Sequence, residues 1–342
     1  MTLNWEKNWE KTIGFLFILP SLIAIVVFVY GFIGWTGWVS VSNWKRGAEP
    51  NYTYSGFDNY ARLFGVGAKY ATGIDAKRFT ASMRNVIGFT ILFIASCILI
   101  GFTLAALLDR HVVGENFFRS LYLFPMAISF IVTGLAWRWL FTPGDSNIGT
   151  TGLNRILENL GLGFIRPHWA SDVVYHIPNS SGLGQFLTSI GLGWLASPSV
   201  GVSLGIITVA IAAMWQLSGY TMALYLAGLR GIPDDLREAA RVDGASEWQI
   251  YRHVLIPLLR PVTLSVVIVL AHISLKIYDL IVAMGGVGQG FIKDVPAYNM
   301  WETTFDQARF STGAAIAVVL LILISLLIVP YLAISLRQQE ER

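Results

Sequence analysis

The stretch that decides how this chain folds is Pro233–Pro257, which reads PDDLREAARVDGASEWQIYRHVLIP. Its acidic and basic side chains are too many to lie in the hydrocarbon core of a bilayer. Apolar runs long enough to span a bilayer nevertheless flank it on both sides. The stretch is therefore predicted to form a polar island outside the membrane, between two spanning segments. An exposed island of this kind has the character of a docking loop for a soluble partner.

The composition of the whole chain indicates a membrane protein. Hydrophobic residues make up 54% and charged residues 13% of its 342 residues, and the mean hydropathy is +0.59. These values lie outside the range of an ordinary soluble domain of this size. The net charge is only +3, and Lys and Arg are spread along the chain, so no basic stripe for nucleic acid is indicated. We predict an integral membrane protein that contacts lipid and binds no nucleic acid.

Apolar runs of about 20 residues predict membrane-spanning helices. Six such runs occur, at 13–35, 85–108, 118–141, 203–229, 258–283 and 312–336. The chain is divided accordingly into an N-terminal segment 1–12, a transmembrane domain 13–336 with a long outer loop at 142–202 and the island at 233–257, and a tail 337–342. Six spans place both termini on one side. Lys and Arg are denser in the segments on the side of the termini and the island, which predicts that this side is cytoplasmic.

Local signals divide the island into two short helices joined by a turn. Pro233 suits the first turn of a helix, with two aspartates beside its positive dipole end, and Gly244 suits a left-handed residue that ends it. Ser246 and Gln249 match a capping box that starts a second helix, which Pro257 stops or kinks. The resulting knob would fit a groove on another protein, although a plain amphipathic loop between two spans would carry the same pattern.

The spacing of the island's residues closely resembles the EAA loop of binding-protein-dependent ABC importer permeases. It reads Glu238-Ala239-Ala240, three residues, Gly244, nine residues, and then Val254-Leu255-Ile256-Pro257. The likeness extends over most of the chain and is nearest to the maltose and glycerol-3-phosphate permeases. It is carried by FILP at 17–20, SGFDNY at 55–60, FRSLYLFP at 118–125, WRWLF at 137–141, and Tyr278-Asp279 with Gly285-Gly286. The insertion at about 165–190 and the stretches 294–297 and 313–316 are similar to the α-glucoside branch.

This resemblance implies a fold, a location and partners. The implied fold is an all-α integral membrane protein with six transmembrane helices, the type I ABC importer permease fold. The implied location is the bacterial cytoplasmic (inner) membrane, with both termini in the cytoplasm. The partners would be a second permease subunit, two ATP-binding subunits and a periplasmic or lipid-anchored sugar-binding protein. ATP and Mg would be used by the ATP-binding subunits, and no cofactor is expected on this chain.

The resemblance also implies roles within the island. Glu238 would pair with a basic group on the ATPase, while Ala239 and Ala240 would permit its close approach. Gly244 would supply the turn. The full ATPase-coupling set implied by the motif is Glu238, Ala239, Ala240, Asp243, Gly244 and Pro257.

Motifs for catalysis are missing from the sequence. A Walker A loop needs a lysine and a hydroxyl residue directly after its last glycine, whereas the glycine-rich run 285–290 continues into Phe291. No HExxH-type metal spacing and no nucleophile motif is present. The tripeptide Leu217-Ser218-Gly219 lies inside an apolar run and is predicted to be a close helix contact. We therefore expect a non-catalytic subunit without a metal site.

Polar residues within the spans are candidates for contacting a solute, because they are costly in hydrocarbon. The substrate-binding candidates are Gln216, Tyr220, Ser274, Lys276 and Asp279, which offer hydrogen bonds for sugar hydroxyls and an aromatic face. His272, Lys276 and Asp279 recur at helical spacing and are expected on one face of the fifth span. Maltose-type permeases contact the sugar from these two spans, which favours Gln216 and Ser274. The alternatives are that Lys276 and Asp279 form a structural ion pair or contact the second permease.

Together these features predict the permease subunit of an ATP-driven importer that moves a neutral glycoside or oligosaccharide, such as an α-glucoside or a disaccharide, by alternating access. A permease for a polyol or a glycerol-phosphate-like solute is the alternative within the same class. An autonomous secondary transporter, which would commonly show inverted repeats or a carboxylate proton relay, is a further alternative. A membrane-bound enzyme is disfavoured by the missing catalytic motifs.

Overall fold

The computed structural model of the chain describes residues 3–45, 49–71, 73–110, 112–142, 144–145, 149–163, 169, 182–189, 203–287 and 291–340, with the backbone alone at 3–12, 145, 183, 187 and 334–340. Much of the predicted outer loop 142–202 and the last two residues of the predicted tail lie outside these residues. The chain divides into two compact units, which are described separately. One is Met1–Gly73 with Met300–Leu321, and the other is Ile74–Asn299 with Ile322–Arg342.

Helices make up nearly all of the regular structure in the described residues. The α-helices are α1 (Leu3–Ile25), α2 (Phe32–Ser40), α3 (Asp58–Phe64), α4 (Ile74–Leu108), α5 (Glu115–Leu123), α6 (Phe130–Leu140), α7 (Gly152–Asn159), α8 (Gly182–Ser189), α9 (Leu204–Arg230), α10 (Asp234–Val242), α11 (Glu247–Ile250), α12 (Ile256–Leu258), α13 (Arg260–Leu275), α14 (Asp279–Ala283), α15 (Pro296–Trp301) and α16 (Phe310–Glu340). Wider π-turns occupy Val26–Gly31, Tyr251–Leu255 and Glu302–Asp306, and a 3₁₀ turn occupies Phe124–Ala127. Two short strands, β1 (Gly144–Asp145) and β2 (Gly149–Thr150), form an antiparallel pair with Gly144 opposite Thr150.

Each candidate membrane span overlaps one of the predicted apolar runs, although the second and the fifth begin at Ile74 and Glu247, before the predicted starts at 85 and 258, and the fifth ends at Leu275 and not at 283. Among the described residues, four helices are long and apolar enough to cross a membrane, namely Ile13–Ser40, Ile74–Leu108, Leu204–Arg230 and Phe310–Ala333. Two further candidates are bent helix pairs, Glu115–Ala127 with Phe130–Leu140 and Glu247–Leu258 with Arg260–Leu275. Counting each bent pair as one span gives six. The third and fifth spans are therefore broken helices.

The third span bends by 96° at a short break. Pro125 lies in the preceding 3₁₀ turn, and Ile128 then turns to an extended backbone with ψ of 139°. Ser129 starts the second arm as an N-cap, because its hydroxyl oxygen accepts a hydrogen bond from the Val132 amide at 3.3 Å. The run 118–141 thus consists of two helical arms.

The fifth span bends by 65° where α12 meets α13. Pro257 and Pro261 lie on either side of the junction residue Leu259. Pro261 has no N–H to donate to the carbonyl of Pro257, so one α-helical hydrogen bond is lost at this point. The kink expected near Pro257 is therefore present.

A second interruption of the fifth span corrects the expected arrangement of its polar residues. α13 ends at Leu275, and α14 begins only at Asp279. The expectation that His272, Lys276 and Asp279 share one face of a continuous helix is wrong, because the chain leaves the helix after Leu275. The structural ion pair weighed for Lys276 and Asp279 is also wrong, since no salt bridge joins these two described residues.

The buried core of the second unit lies where α4 and α9 pack along each other. Phe89, Phe93 and Met222 are fully buried there. A Cβ atom added at Gly101 of α4 would lie 2.6 Å from the methyl group of Thr221 on α9. Small residues at such points let two helix backbones approach closely, which is how helices associate in hydrocarbon.

Gly219 brings α9 against the third span in the same way. A Cβ atom at this position would overlap the backbone carbonyl oxygen of Tyr122. The predicted helix contact at Leu217-Ser218-Gly219 is therefore confirmed, because a side chain of any size would push the two backbones apart.

In the first unit, Asn59 connects the end of α2 to the start of α16. Its buried side-chain amide donates hydrogen bonds to the carbonyl oxygens of Ser40 and Ser42 at 2.9 and 3.0 Å. Its Oδ1 accepts a hydrogen bond from the Ser311 hydroxyl at 3.4 Å. The asparagine of the SGFDNY stretch thus pairs carbonyl groups that the end of a helix leaves without partners.

Replacing Asn59 by alanine should lower the free energy of unfolding of this unit by about 1–3 kcal/mol, because the Ser40 carbonyl loses its side-chain donor and the Ser42 carbonyl keeps only the Ser55 hydroxyl. Thermal unfolding in detergent, followed by tryptophan fluorescence, would measure the change. Asn51→Ala is the matched control, since Asn51 is exposed in the same loop, and it should change stability by less than about 0.5 kcal/mol. Equal stability of the two variants would contradict the assignment.

Candidate functional site

The polar island folds into two helices around a glycine turn, as the sequence predicts. α10 covers Asp234–Val242, with two aspartates in its first turn. Pro233 is its N-cap, with an extended ψ of 136°, and so lies one position before the first turn where the sequence analysis placed it. The capping box between Ser246 and Gln249 is present at the start of α11.

α10 ends at Gly244 in a Schellman turn. The Gly244 amide donates to the Arg241 carbonyl, and the Ala245 amide donates to the Ala240 carbonyl, both at 3.0 Å. The φ angle of Gly244 is +81°, and nothing lies within 4 Å of a Cβ atom placed there. The handedness of the backbone, and not a lack of space, therefore requires glycine at this position.

The outward surface of the island mixes apolar and acidic groups. Val242, Trp248 and Leu236 expose 87%, 70% and 44% of their surfaces. Glu238 and Asp243 are exposed on the same pair of helices. Large exposed apolar side chains rimmed by charges are typical of a surface that a partner protein covers.

The two alanines of the motif occupy different environments. Ala239 is exposed, whereas Ala240 is partly buried and packs against the hydrophobic core of the second unit. Close approach of a partner therefore concerns Ala239. The small side chain of Ala240 lets α10 lie close to the spans of its own chain.

A buried ion pair fastens the island to the spans. Asp109, the first residue after α4, is only 9% exposed. Its Oδ2 accepts hydrogen bonds from Arg237 Nη1 at 2.7 Å and from the Tyr251 hydroxyl at 3.2 Å. Arg237 Nη2 donates to the Leu229 carbonyl at 3.1 Å, next to the end of α9. One carboxylate and one guanidinium thus connect α10 to the ends of the second and fourth spans and to the helical segment that leads into the fifth.

The charge of Arg237 is maintained in this setting. Burial acts to lower the pKa of its guanidinium, but the hydrogen bond and the negative charge of Asp109 outweigh burial and raise the pKa above its ordinary value. The pair is therefore ionic, and breaking it would leave a charge without its partner in a mostly buried place.

A cleft of about 520 Å³ opens beside this ion pair. It is lined by acidic and basic side chains together with one tyrosine: Asp109, Arg110, Asp234, Arg237, Glu238, Arg241, Glu247 and Tyr251. Glu238 is thus placed at the edge of a polar recess, where its carboxylate can receive a basic group from outside the chain.

Two of the candidate substrate residues are buried and bonded within the chain. Gln216 Nε2 donates to the Ile128 carbonyl at 2.6 Å, at the break in the third span. The Ser274 hydroxyl donates to the Ala271 carbonyl at 2.8 Å and lies 2.8 Å from Thr90 Oγ1. Gln216 Oε1 has no hydrogen-bond partner among the described residues. Ser274 is fully enclosed, so in this conformation neither side chain faces an open cavity.

Two other candidates line a cavity of about 210 Å³ beside the interruption of the fifth span. Lys276 and Asp279 are exposed there, and the partly buried Tyr278 and Phe130 of α6 also line the cavity. Tyr278 stacks on the ring of Tyr298, with centroids 5.9 Å apart. The cavity therefore combines a cation, a carboxylate and aromatic rings, which are groups that bind hydroxyls and apolar ring faces.

Tyr220 is separate from this cavity. It is partly buried and packs against the hydrophobic core of the second unit. Of the five candidates, the structure thus brings Lys276 and Asp279 together and leaves Gln216, Ser274 and Tyr220 in the packed interior.

Comparison with known proteins assigns the family. Residues 97–338 match the family described as binding-protein-dependent transport system inner membrane component. A probable ABC transporter permease of Pyrococcus horikoshii is 35% identical over 325 residues, which cover 95% of this chain and 96% of that protein. The chain belongs to this permease family.

Further relatives match the permease over nearly its whole length. A xylose/arabinose import permease of Haloferax volcanii is 30% identical, covering 98% of this chain and 94% of that one. A trehalose/maltose transport system permease of Thermococcus litoralis is 24% identical, covering 96% and 95%.

Solved structures show the same fold. A bacterial ABC transporter involved in the import of the acidic polysaccharide alginate has a chain that matches with a TM-score of 0.69 at 17% identity, covering 97% of this chain and 98% of that one. A second structure of an alginate ABC transporter, in complex with an alginate pentasaccharide-bound periplasmic protein, matches equally well, at 16% identity. The type I permease fold predicted from the sequence is confirmed.

The permease family is one of transport components, not of enzymes. Within the described residues of this permease, no group of three or more His, Cys, Asp and Glu side chains could hold a metal ion.

The sequence analysis missed Asp109 and Tyr251 of the permease. Asp109 directly follows an apolar run and reads like any polar residue that ends a span. A signal was available, because Lys or Arg is favoured at the end of a span on the side that the sequence predicts to be cytoplasmic. An aspartate at that position indicates a cation nearby, and the island offers one in Arg237.

Gly244→Val should distort the glycine turn of the permease, because a β-branched residue is strained by about 1–3 kcal/mol at a left-handed φ. Hydrogen exchange of the amides at 243–250 should become faster. Gly244→Asn is the matched control, since asparagine tolerates this conformation, and its exchange should stay near that of the unaltered permease. Unchanged exchange in the valine variant would show that the turn does not need this handedness.

Proposed function

We propose that this chain is the membrane-spanning permease subunit of an ATP-driven importer that moves a neutral glycoside or oligosaccharide into the cytoplasm by alternating access. Membership of the permease family supports the importer class, and relatives named for xylose/arabinose and trehalose/maltose support a sugar. The observation that carries the proposal is the exposed helix–glycine–helix island, which is tied to the second and fourth spans through Arg237 and Asp109.

The proposed importer has further subunits. They are a second permease, two ATP-binding subunits that use ATP and Mg, and a periplasmic or lipid-anchored sugar-binding protein. This chain supplies no cofactor and carries out no hydrolysis. It lies in the cytoplasmic membrane with both termini and the island in the cytoplasm, which is the arrangement favoured by the density of Lys and Arg.

In this proposal the island is the coupling surface for an ATP-binding subunit. Glu238, at the edge of the polar cleft, receives a basic side chain of that subunit. Ala239 allows its close approach, and Asp243 extends the acidic rim. Gly244 and Pro257 act through the chain, since they set the turn after α10 and the bend into the fifth span.

The cavity beside the fifth-span interruption is the proposed entry to the solute path. Asp279 and Lys276 bond sugar hydroxyls, and Tyr278 offers its ring to the apolar face of a pyranose. Asp279 also disfavours an anionic solute, because its carboxylate lines the same small cavity as the lysine. Neutral sugars are therefore favoured over phosphorylated polyols.

The buried candidates contribute in another state of the transport cycle. Gln216 and Ser274 are enclosed in this conformation, so they would contact the solute only after the broken third and fifth spans move. Gln216 Oε1 is an acceptor without a partner in the described part of the chain, and Tyr220, one turn further along α9, completes this proposed inner site.

Purification of the permease in mild detergent from native membranes, with mass spectrometry of the retained proteins, tests the importer class. We expect an ATP-binding subunit and a second permease to remain bound. Glu238→Lys should weaken retention of the ATP-binding subunit by about tenfold, because it places two like charges in contact. Asp306→Lys is the control, since it reverses an exposed charge outside the island, and it should retain the subunit. Loss in neither or in both variants would refute the role of Glu238.

Asp279→Asn should reduce uptake of the sugar by about tenfold, because one hydrogen bond of about 1–3 kcal/mol is weakened. Retention of the ATP-binding subunit should be unchanged, since Asp279 lies outside the island. Glu158→Gln provides the control, as it neutralises another exposed carboxylate in the same unit. Uptake would be measured with xylose, trehalose and maltose. If the Asp279→Asn variant took up each sugar as fast as the control variant, Asp279 would not be part of the solute path.

A further inference from the structure

We propose that Asp109 is the positioning residue through which movement of α10 reaches the membrane spans. This inference rests on the proposed function, because it assumes that an ATP-binding subunit moves the island. It adds a residue on the second span that lies outside the motif, in the wall of the cleft beside Glu238.

The geometry makes Asp109 a junction between elements that are distant in sequence. A single oxygen, Oδ2, accepts one hydrogen bond from Arg237 on α10 at 2.7 Å and another from Tyr251 at the start of the π-turn after α11 at 3.2 Å. Asp109 itself continues α4, since its amide donates to the Ala105 carbonyl at 2.9 Å. A displacement of α10 therefore pulls directly on the end of the second span.

The arginine extends the junction to the fourth span. Its Nη1 holds Asp109 while its Nη2 holds the Leu229 carbonyl at 3.1 Å. That carbonyl lies in the last turn of α9, where helix carbonyls lack partners within their own helix. Because the guanidinium is planar and rigid, its two bonds keep a fixed spacing between the ends of α4 and α9.

Burial distinguishes this link from the other ionic contacts of the region. The side chains of Asp109 and Arg237 are 5% and 16% exposed, whereas those of Arg241 and Glu247, which pair at 3.0 Å within the island, are 55% and 53% exposed. Water readily replaces an exposed pair and transmits little force. It cannot easily replace a buried one, so the Asp109 pair must move as a unit.

Apolar packing alone would not fix the direction of this movement. Ala240 and Ala245 contact the hydrophobic core, but contacts between small apolar side chains are non-directional and permit sliding. The ion pair supplies a directional connection between α10 and the spans. We infer that Ala240 and Ala245 keep α10 close to the spans, while Asp109 determines which spans follow α10 when it moves.

The test measures movement without needing to know the sugar. The permease is purified from native membranes with its bound subunits and carries Lys276→Cys as a reporter in the cavity of the fifth span. A water-soluble maleimide labels this cysteine, with and without ATP. Asp109→Asn should keep the ATP-binding subunit bound and hydrolysing ATP, while the effect of ATP on the labelling rate falls by at least about fivefold.

Two controls separate this role from a general loss of stability. Glu115→Gln breaks the Arg230–Glu115 ion pair, which has the same 2.7 Å length but involves no residue of the island, and should leave the ATP effect intact. Arg237→Gln combined with Asp109→Asn should be no worse than the more severe single variant, because both act through one pair. Additive losses, or an equal loss in Glu115→Gln, would overturn the proposal.

The outcomes also separate this inference from the proposed function. If the unaltered permease retains no ATP-binding subunit, both fall together. If it retains one and responds to ATP, while Asp109→Asn responds equally, only the inference about Asp109 falls. Should Asp109→Asn fail to assemble, Tyr251→Phe takes its place, because it removes one of the two bonds to the carboxylate. It should reduce the ATP effect by a smaller factor, and a full response would refute the proposal.

Discussion

The structure depends on one constraint, which is that backbone polar groups inside a membrane must find their partners within the protein. Continuous spans meet it through their own helical bonds. The third and fifth spans are broken, so other groups must compensate. The Gln216 amide bonds the Ile128 carbonyl at the first break, and Ser129 caps the helix arm that follows it. These partners make broken spans tolerable, and broken spans are where two helical arms can change their angle.

The same constraint limits what residue type can reveal about a transport path. A polar side chain in a span is energetically costly, and it is retained either because it binds the solute or because it bonds the backbone. Gln216 and Ser274 are bonded to carbonyls of their own chain, whereas Lys276 and Asp279 lie beside an interruption and line a cavity. Exposure, and not residue type, separates the two groups in this conformation.

The parts of the molecule that follow from local sequence were predictable. Gly244 as the end of α10, the capping box at Ser246 and the positions of the six apolar runs depend on neighbours within a few residues. The link between Asp109 and Arg237 was not predictable from local patterns, because the two residues are 128 positions apart. The prediction that Lys276 and Asp279 share one helix face failed for a related reason. It extended the helical spacing of the fifth span past Leu275, where the helix ends.

Two glycines of this chain are fixed by different physical causes. Gly244 has open space around it and a left-handed backbone, so its restriction is one of chirality, and a D-amino acid would satisfy it. Gly219 has an ordinary helical backbone pressed against a carbonyl of the third span, so its restriction is one of volume. Evolution should therefore accept asparagine in place of Gly244 but only glycine at position 219. Substitution patterns among sequences of this kind thus carry a record of which constraint acts at each site.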